Sequence, residues 1–370
     1  QQTRKNMKNI TKLAIVLLSS SLISFGAVAG ELAVSGSAKA SYVISGGDKN
    51  NSNKGLGVSN ELMFKASGEL DNGYTWAYHT ELDMADGGVA SNDDTALVLT
   101  LGDMGAFGIY DAEGGLSTEL GYGIGALGVG QDYANVMTKI GGFGYDVSAD
   151  PHVEYHTPAD LLPAGIKLSA GYAPNVSDGQ GNSYKNAGGV NTKGSGSGGA
   201  AEQFRLSATP VDGLTVGADY YRAKNTTTVS DKKNGGNMYA KYAFGNFKVG
   251  AMKGYGEPGQ TAKKGTAAAD TATAENGDRY ENSAMGIEFA VNDNLSVSYQ
   301  VEQNTRFDKT LAPTAATYTS TDVESESDTI QVAYNIGGAT VGVFVIDTDN
   351  ADYTVGKEET KSVFSLAMAF

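Results

Sequence analysis

Three histidines, His79, His152 and His156, are the full imidazole complement of this chain, and none stands in a recognisable serine-nucleophile motif. No cysteine is present, which removes a thiol nucleophile, thiolate-bound zinc, an iron–sulfur cluster and a disulfide scaffold. No Gly-rich stretch is followed by the Lys-Ser/Thr of a nucleotide loop. Carboxylates and scattered bases remain. The segment 111–150 holds Asp111, Glu113, Glu119, Asp132, Asp146 and Asp150 against a single base, Lys139. Such groups shape an electric field and attract hard cations rather than performing covalent chemistry. Ca2+ is the ion that acidic loops of this kind would take, but no ordered ligand spacing marks a site, and no cofactor is expected.

The whole composition points the same way. The 370 residues carry 27 Lys plus Arg against 42 Asp plus Glu, a formal net charge of −15. That balance argues against nucleic acid, whose binding is driven by cationic side chains displacing counterions. From Met7 the chain reads as a secretory leader: Lys8 and Lys12, an apolar run from Leu13 to Phe25, then Ala27-Val28-Ala29. Residues 1–6 precede this pattern and stand outside it. Residues 1–29 are thus expected to be extra residues plus signal peptide, and 30–370 one domain. Cleavage after Ala29 removes 29 of the 370 residues and four bases (Arg4, Lys5, Lys8, Lys12) but no acid, leaving 341 residues at −19. No later stretch supplies the ~20 consecutive apolar residues of a spanning helix.

The elements that must position the charges follow from alternation. Leu62, Phe64, Ala66, Gly68 and Leu70 alternate with Glu61, Met63, Lys65, Ser67 and Glu69. Phe364, Leu366, Met368 and Phe370 alternate with Val363, Ser365, Ala367 and Ala369. Spacing of two sends such residues to one face of a strand, whereas a helix would space them by three and four. Short turns at 71–73, 102–105, 158–165, 211–213, 245–246, 292–294 and 337–338 are separated by long polar connections, including 112–151, 175–200, 255–278 and 305–327. One end of the sheet therefore has tight turns and the other large loops. Sixteen strands result, with the thirteenth over 295–304 and the fourteenth over 328–336. Alternation suits a soluble sandwich as well as a barrel. Small or aromatic residues on one face, Ser, Thr, Lys, Glu, Gln and Asn on the other, and no second layer favour a closed barrel in an outer membrane, because closure removes edges that lipid cannot satisfy.

With that architecture in view, the chain resembles the general porins of Gram-negative outer membranes, particularly the alphaproteobacterial type. The resemblance is carried by the leader, the opening strand GELAVSGSAKASYV (30–43), VEYHTP (153–158), GIKLSAGYAP (165–174) and the terminal SVFSLAMAF. It implies a transmembrane all-β fold, a 16-stranded antiparallel barrel with short periplasmic turns, long external loops and an inward-folded third loop. It further implies a water-filled pore for passive diffusion of small hydrophilic solutes, a homotrimer in contact with lipid and lipopolysaccharide, and a terminal Phe370 read by the barrel-assembly machinery. The third loop would be 111–150, with Asp111, Glu113, Glu119 and Asp132 as the acidic side of a constriction. Lys39, Lys65 and Lys167 would be its basic wall, with His79, His156 and Arg205 as weaker candidates. A base expected on the fourth strand is missing, since Val98 and Thr100 occupy its places. The −19 charge and the acidic third loop imply cation preference. The alternative within the fold is a substrate-selective channel for a sugar, phosphate or dicarboxylate; an outer-membrane enzyme lacks its Ser-His motif, and an adhesive protein would need a packed lumen.

Overall fold

A strand with one apolar and one polar face is stable only where each face meets a suitable solvent and both edges are paired. The computed structural model describes residues 31–48, 54–84, 90–112, 116, 146–148, 150–158, 160–174, 199–223, 233–257, 279–311 and 318–370. The leader 1–29 and the candidates Glu113, Glu119 and Asp132 lie outside the described residues.

The strands are β1 (Glu31–Gly47), β2 (Lys54–Glu69), β3 (Thr75–Met84), β4 (Ala90–Thr100), β5 (Ala106–Ala112), β6 (His152–His156), β7 (Lys167–Ala173) and β8 (Ala201–Val211), followed by β9 (Leu214–Ala223), β10 (Lys233–Phe244), β11 (Phe247–Glu257), β12 (Arg279–Ala290), β13 (Leu295–Leu311), β14 (Tyr318–Ile336), β15 (Ala339–Asp349) and β16 (Glu358–Ala369). They close into one barrel in chain order, each antiparallel to its neighbours. Short turns occupy one end and long connections the other. Closure is made by β1 on β16, from Ser37 opposite Ala369 to Gly47 opposite Glu359. Beyond that ladder Gly36 and Phe370 exchange both backbone hydrogen bonds, at 2.8 and 2.9 Å.

The two faces differ as their residues require. Leu56, Val58, Leu97, Ile109, Phe204, Met238, Met285, Ile330 and Phe364 are exposed on the outer wall. Glu154, Gln203, Asp219, Gln331 and Ser327 are buried on the inner one. Lipid outside and a polar lumen inside is the arrangement that stabilises this sidedness. Phe244 and Phe247 stack at 5.7 Å across the 245–246 turn and continue to Phe289 at 4.8 Å, an aromatic belt at the tight-turn end.

One expectation needs correction. The stretch 305–327 is not simply a long connection, because β13 and β14 run on as a hairpin, with Thr305 opposite Glu324, Arg306 opposite Val323 and Thr310 opposite Thr319. Apolar alternation stops where lipid stops, but an antiparallel ladder of β-branched residues does not need an apolar face to continue into water.

Candidate functional site

The site is a channel wall, so its parts are the inward positions of neighbouring strands. On β6 the sequence His152-Val153-Glu154-Tyr155-His156 places three polar side chains on one face by period two alone. Glu154 is completely buried. Its Oε1 lies 2.8 Å from His152 Nε2 and its Oε2 lies 2.7 Å from His156 Nε2. The same carboxylate accepts the backbone N–H of Leu116, from the start of the third connection. His152 Nδ1 meets the Asp150 carbonyl at 2.7 Å, so that nitrogen carries a hydrogen, and its ring stacks on Tyr110 at 5.3 Å. A buried carboxylate is costly unless it is fully hydrogen-bonded, and these partners offset that cost.

The other end of the third connection is held two strands further on, at β8. Val147 N–H donates to Gln203 Oε1 at 2.9 Å, Gln203 Nε2 donates to Asp219 Oδ2 at 3.4 Å, and the Asn237 N–H donates to Asp219 Oδ1 at 3.2 Å. Between the two anchors Gly171 on β7 leaves room for the loop: a Cβ there would come within 2.8 Å of Val147 and 3.2 Å of Leu116. Thus the described ends of the third connection lie against the inner wall of β6–β9. Asp146 and Asp150 arrive there with them.

A hydrogen-bonded chain runs from Ser169 Oγ to His156 Nδ1 at 2.9 Å and on to Glu154. The order of groups matches a serine–histidine–acid relay that sequence spacing did not disclose. Acyl transfer would also need free N–H donors for an oxyanion, and Ser169 lies in a strand paired on both sides, opposite His156 and Arg205. Glu154 is moreover occupied with the third connection. The chain anchors the loop.

Opposite expectations meet on β1–β3. Lys39, Lys65, Lys167, His79, His156 and Arg205 occupy inward register positions, as alternation requires. They do not form one row: Lys65 lies opposite Ala33 and Lys39 opposite Ser59, six residues apart along β1, about 20 Å. Lys167 starts β7 beside a tight turn. Beside Lys39, Lys65 and His79 sits an acidic cluster on β2 and β3, with Glu61 directly opposite Asp83. Carboxylate oxygens of Glu61, Glu81 and Asp83 lie within 4.8 Å of one another. Like charges facing each other across a ladder are unfavourable unless cations screen them. Asp94 follows at an inward position of β4. Asp111 pairs with Thr95 on the opposite face of β5 from Tyr110, the face of the Thr80–Thr95 contact at 3.1 Å. Neither the Glu61–Asp83 pair nor the Gln203–Asp219 link could be found from one sequence, because each depends on register between strands.

Comparison with known proteins agrees with the geometry. A family model described as Gram-negative porin matches residues 14–310. Among solved structures, a loop L8 deletion mutant of OmpT, an outer membrane protein of Vibrio cholerae, superimposes with a TM-score of 0.61 at 14% identity, covering 93% of this chain and 100% of that one. The anion-selective porin from Comamonas acidovorans gives 0.61 at 12% identity, covering 92% and 100%. Salmonella typhi OmpF, in complex with daunomycin, gives 0.58 at 13% identity, covering 92% and 98%. At such identities the likeness is one of fold. No curated protein sequence matches the chain.

Proposed function

This chain belongs to the Gram-negative porins, outer-membrane β-barrels that act as channels for passive diffusion, and on that premise we propose that its channel prefers cations and narrows at an acidic constriction. The observation that carries the reading is the inward cluster of Glu61, Glu81 and Asp83, with oxygens within 4.8 Å of one another on the wall where bases were expected. Low-dielectric walls focus the field of such a cluster into the lumen, raising cation and lowering anion concentration there. Asp146 and Asp150 at the end of the third connection add to the same sign. Lys39 and Lys65 flank the cluster and localise its field rather than reversing it. The constriction itself is read as the third connection; of the carboxylates expected there, Asp111 stands on the outward face of β5, and Glu113, Glu119 and Asp132 lie outside the described residues.

Reversal potentials of the purified channel in a salt gradient across a planar bilayer test this. Cation preference is expected, moving toward neutrality in Glu61→Gln/Asp83→Asn; anion preference in the parent protein would refute it. Saturable block by one sugar, phosphate or dicarboxylate would favour the substrate-selective alternative. The family membership and the diffusion pore leave no step that calls for catalysis. Homotrimer formation belongs to the proposal too: the outward small residues Gly36, Ala38 and Ala40 on β1 would allow barrels to pack closely, and the trimer form recorded for Vibrio cholerae OmpT supports it.

A further inference from the structure

The connection between β15 and β16 does not behave as a solvent loop. Asn350, Asp352 and Tyr353 have φ of 51°, 53° and 55°, the left-handed region that asparagine tolerates and a bulky tyrosine rarely adopts. Such a backbone persists only where its surroundings over-determine it. They do so here. Asn350 Nδ2 donates to the Glu324 carbonyl and its Oδ1 accepts the Gly356 N–H, both at 2.8 Å. Ala351 N–H donates to the Lys357 carbonyl at 2.9 Å, and Lys357 Nζ reaches Asp352 at 2.6 Å and Glu359 at 3.0 Å.

These contacts turn Tyr353 inward. Only 4% of it is exposed, whereas Val355 two residues later is 79% exposed. Its ring packs on Tyr280 at 5.5 Å and lies under the Arg306 guanidinium at 5.2 Å. Tyr280 and Arg306 face each other directly across β12 and β13, at inward positions. To reach them the loop must cross the inner face of β14. Tyr353 also belongs to the buried apolar cluster that contains Leu116 and Val147 of the third connection.

From this we infer that residues 350–357 form a second constriction, at the external mouth, and that Tyr353 on the Tyr280–Arg306 pair is the residue that holds it in the lumen and limits solute size. The inference rests on the channel reading above. A tyrosine between an aromatic ring and a guanidinium is fixed by packing and cation–π attraction. Its hydroxyl is buried and has no hydrogen-bond partner among the described residues, so the ring and not the hydroxyl does the holding.

Conductance, liposome swelling and thiol labelling test it. In planar bilayers and in liposome swelling with saccharides of increasing size, Tyr353→Ala should raise single-channel conductance roughly 1.5- to 2-fold and admit larger sugars, while Tyr353→Phe should match the parent. Because the chain has no cysteine, labelling with a bulky maleimide reads the loop without any current. Ala351→Cys should label at least about tenfold more slowly than Val355→Cys, as their 3% and 79% exposures require, and Ala351→Cys/Tyr353→Ala should label fast. Equal labelling at 351 and 355, or unchanged conductance and sugar cutoff in Tyr353→Ala, would overturn the inference. A parent protein that conducts nothing would overturn the channel reading instead, leaving the labelling to decide where the loop lies.

Discussion

Glu154 illustrates how a residue that looks reactive is used for positioning. Two imidazoles and one backbone N–H converge on its carboxylate, and a serine completes the chain at His156. Removing the carboxylate leaves the buried His152 ring and the Leu116 N–H without their partner, each costing about 1–3 kcal/mol. Glu154→Ala is therefore expected to destabilise the folded barrel by roughly 2–3 kcal/mol, while Glu154→Gln, which keeps an acceptor for Leu116 N–H, should lose less. The temperature at which the heat-modifiable barrel band disappears on semi-native gels reports both, and equal losses would show that the acceptor is not what matters. The spacing of 152, 154 and 156 makes a shared face legible from sequence. That the face holds a loop from a distant segment is not legible, since Leu116 lies 38 residues away.

At the scale of elements, closure depends on the last strand. Phe370 exchanges two backbone hydrogen bonds with Gly36, and a Cβ on Gly36 would lie 2.7 Å from the Phe370 ring and 2.9 Å from the Glu61 carbonyl. A backbone carbonyl cannot move aside as a side chain can. Gly36→Val should thus lower the yield of folded barrel in outer-membrane fractions, and deletion of Phe370 should do so as well, by exposing the seam and removing the terminal residue proposed as the assembly signal. A normal yield in both would locate the closure energy elsewhere in the β1–β16 ladder. The loop between β15 and β16 adds an element with its own pH window. The carboxylates of Asp352 and then Glu359 hold the Lys357 ammonium above its ordinary 10.5. With the folded value raised, the contribution is fully present below 10.5 and is lost only as pH rises through the folded value. The labelling rate ratio between Ala351→Cys and Val355→Cys is accordingly expected to hold through neutral and mildly alkaline pH. A ratio that collapses near neutrality would show that other groups hold the loop.

The molecule as a whole is an acidic, cysteine-free barrel of the outer membrane that encloses a polar lumen. Period two, the alternation of tight turns with long connections and an apolar terminal strand ending in Phe370 determined by themselves the fold class and the strand number to expect, because strand sidedness is a local property that each residue carries. They also put Lys39, Lys65 and Lys167 on inward positions. Local pattern failed where water replaces lipid, at the β13–β14 hairpin, since no apolar alternation marks a strand there. The tertiary structure alone decided which inward groups meet: Glu61 beside Asp83 and Glu81, Gln203 beneath Val147, and Tyr353 on Tyr280 and Arg306. Register between strands and the path of loops across the lumen set those meetings, and neither is encoded within a single strand.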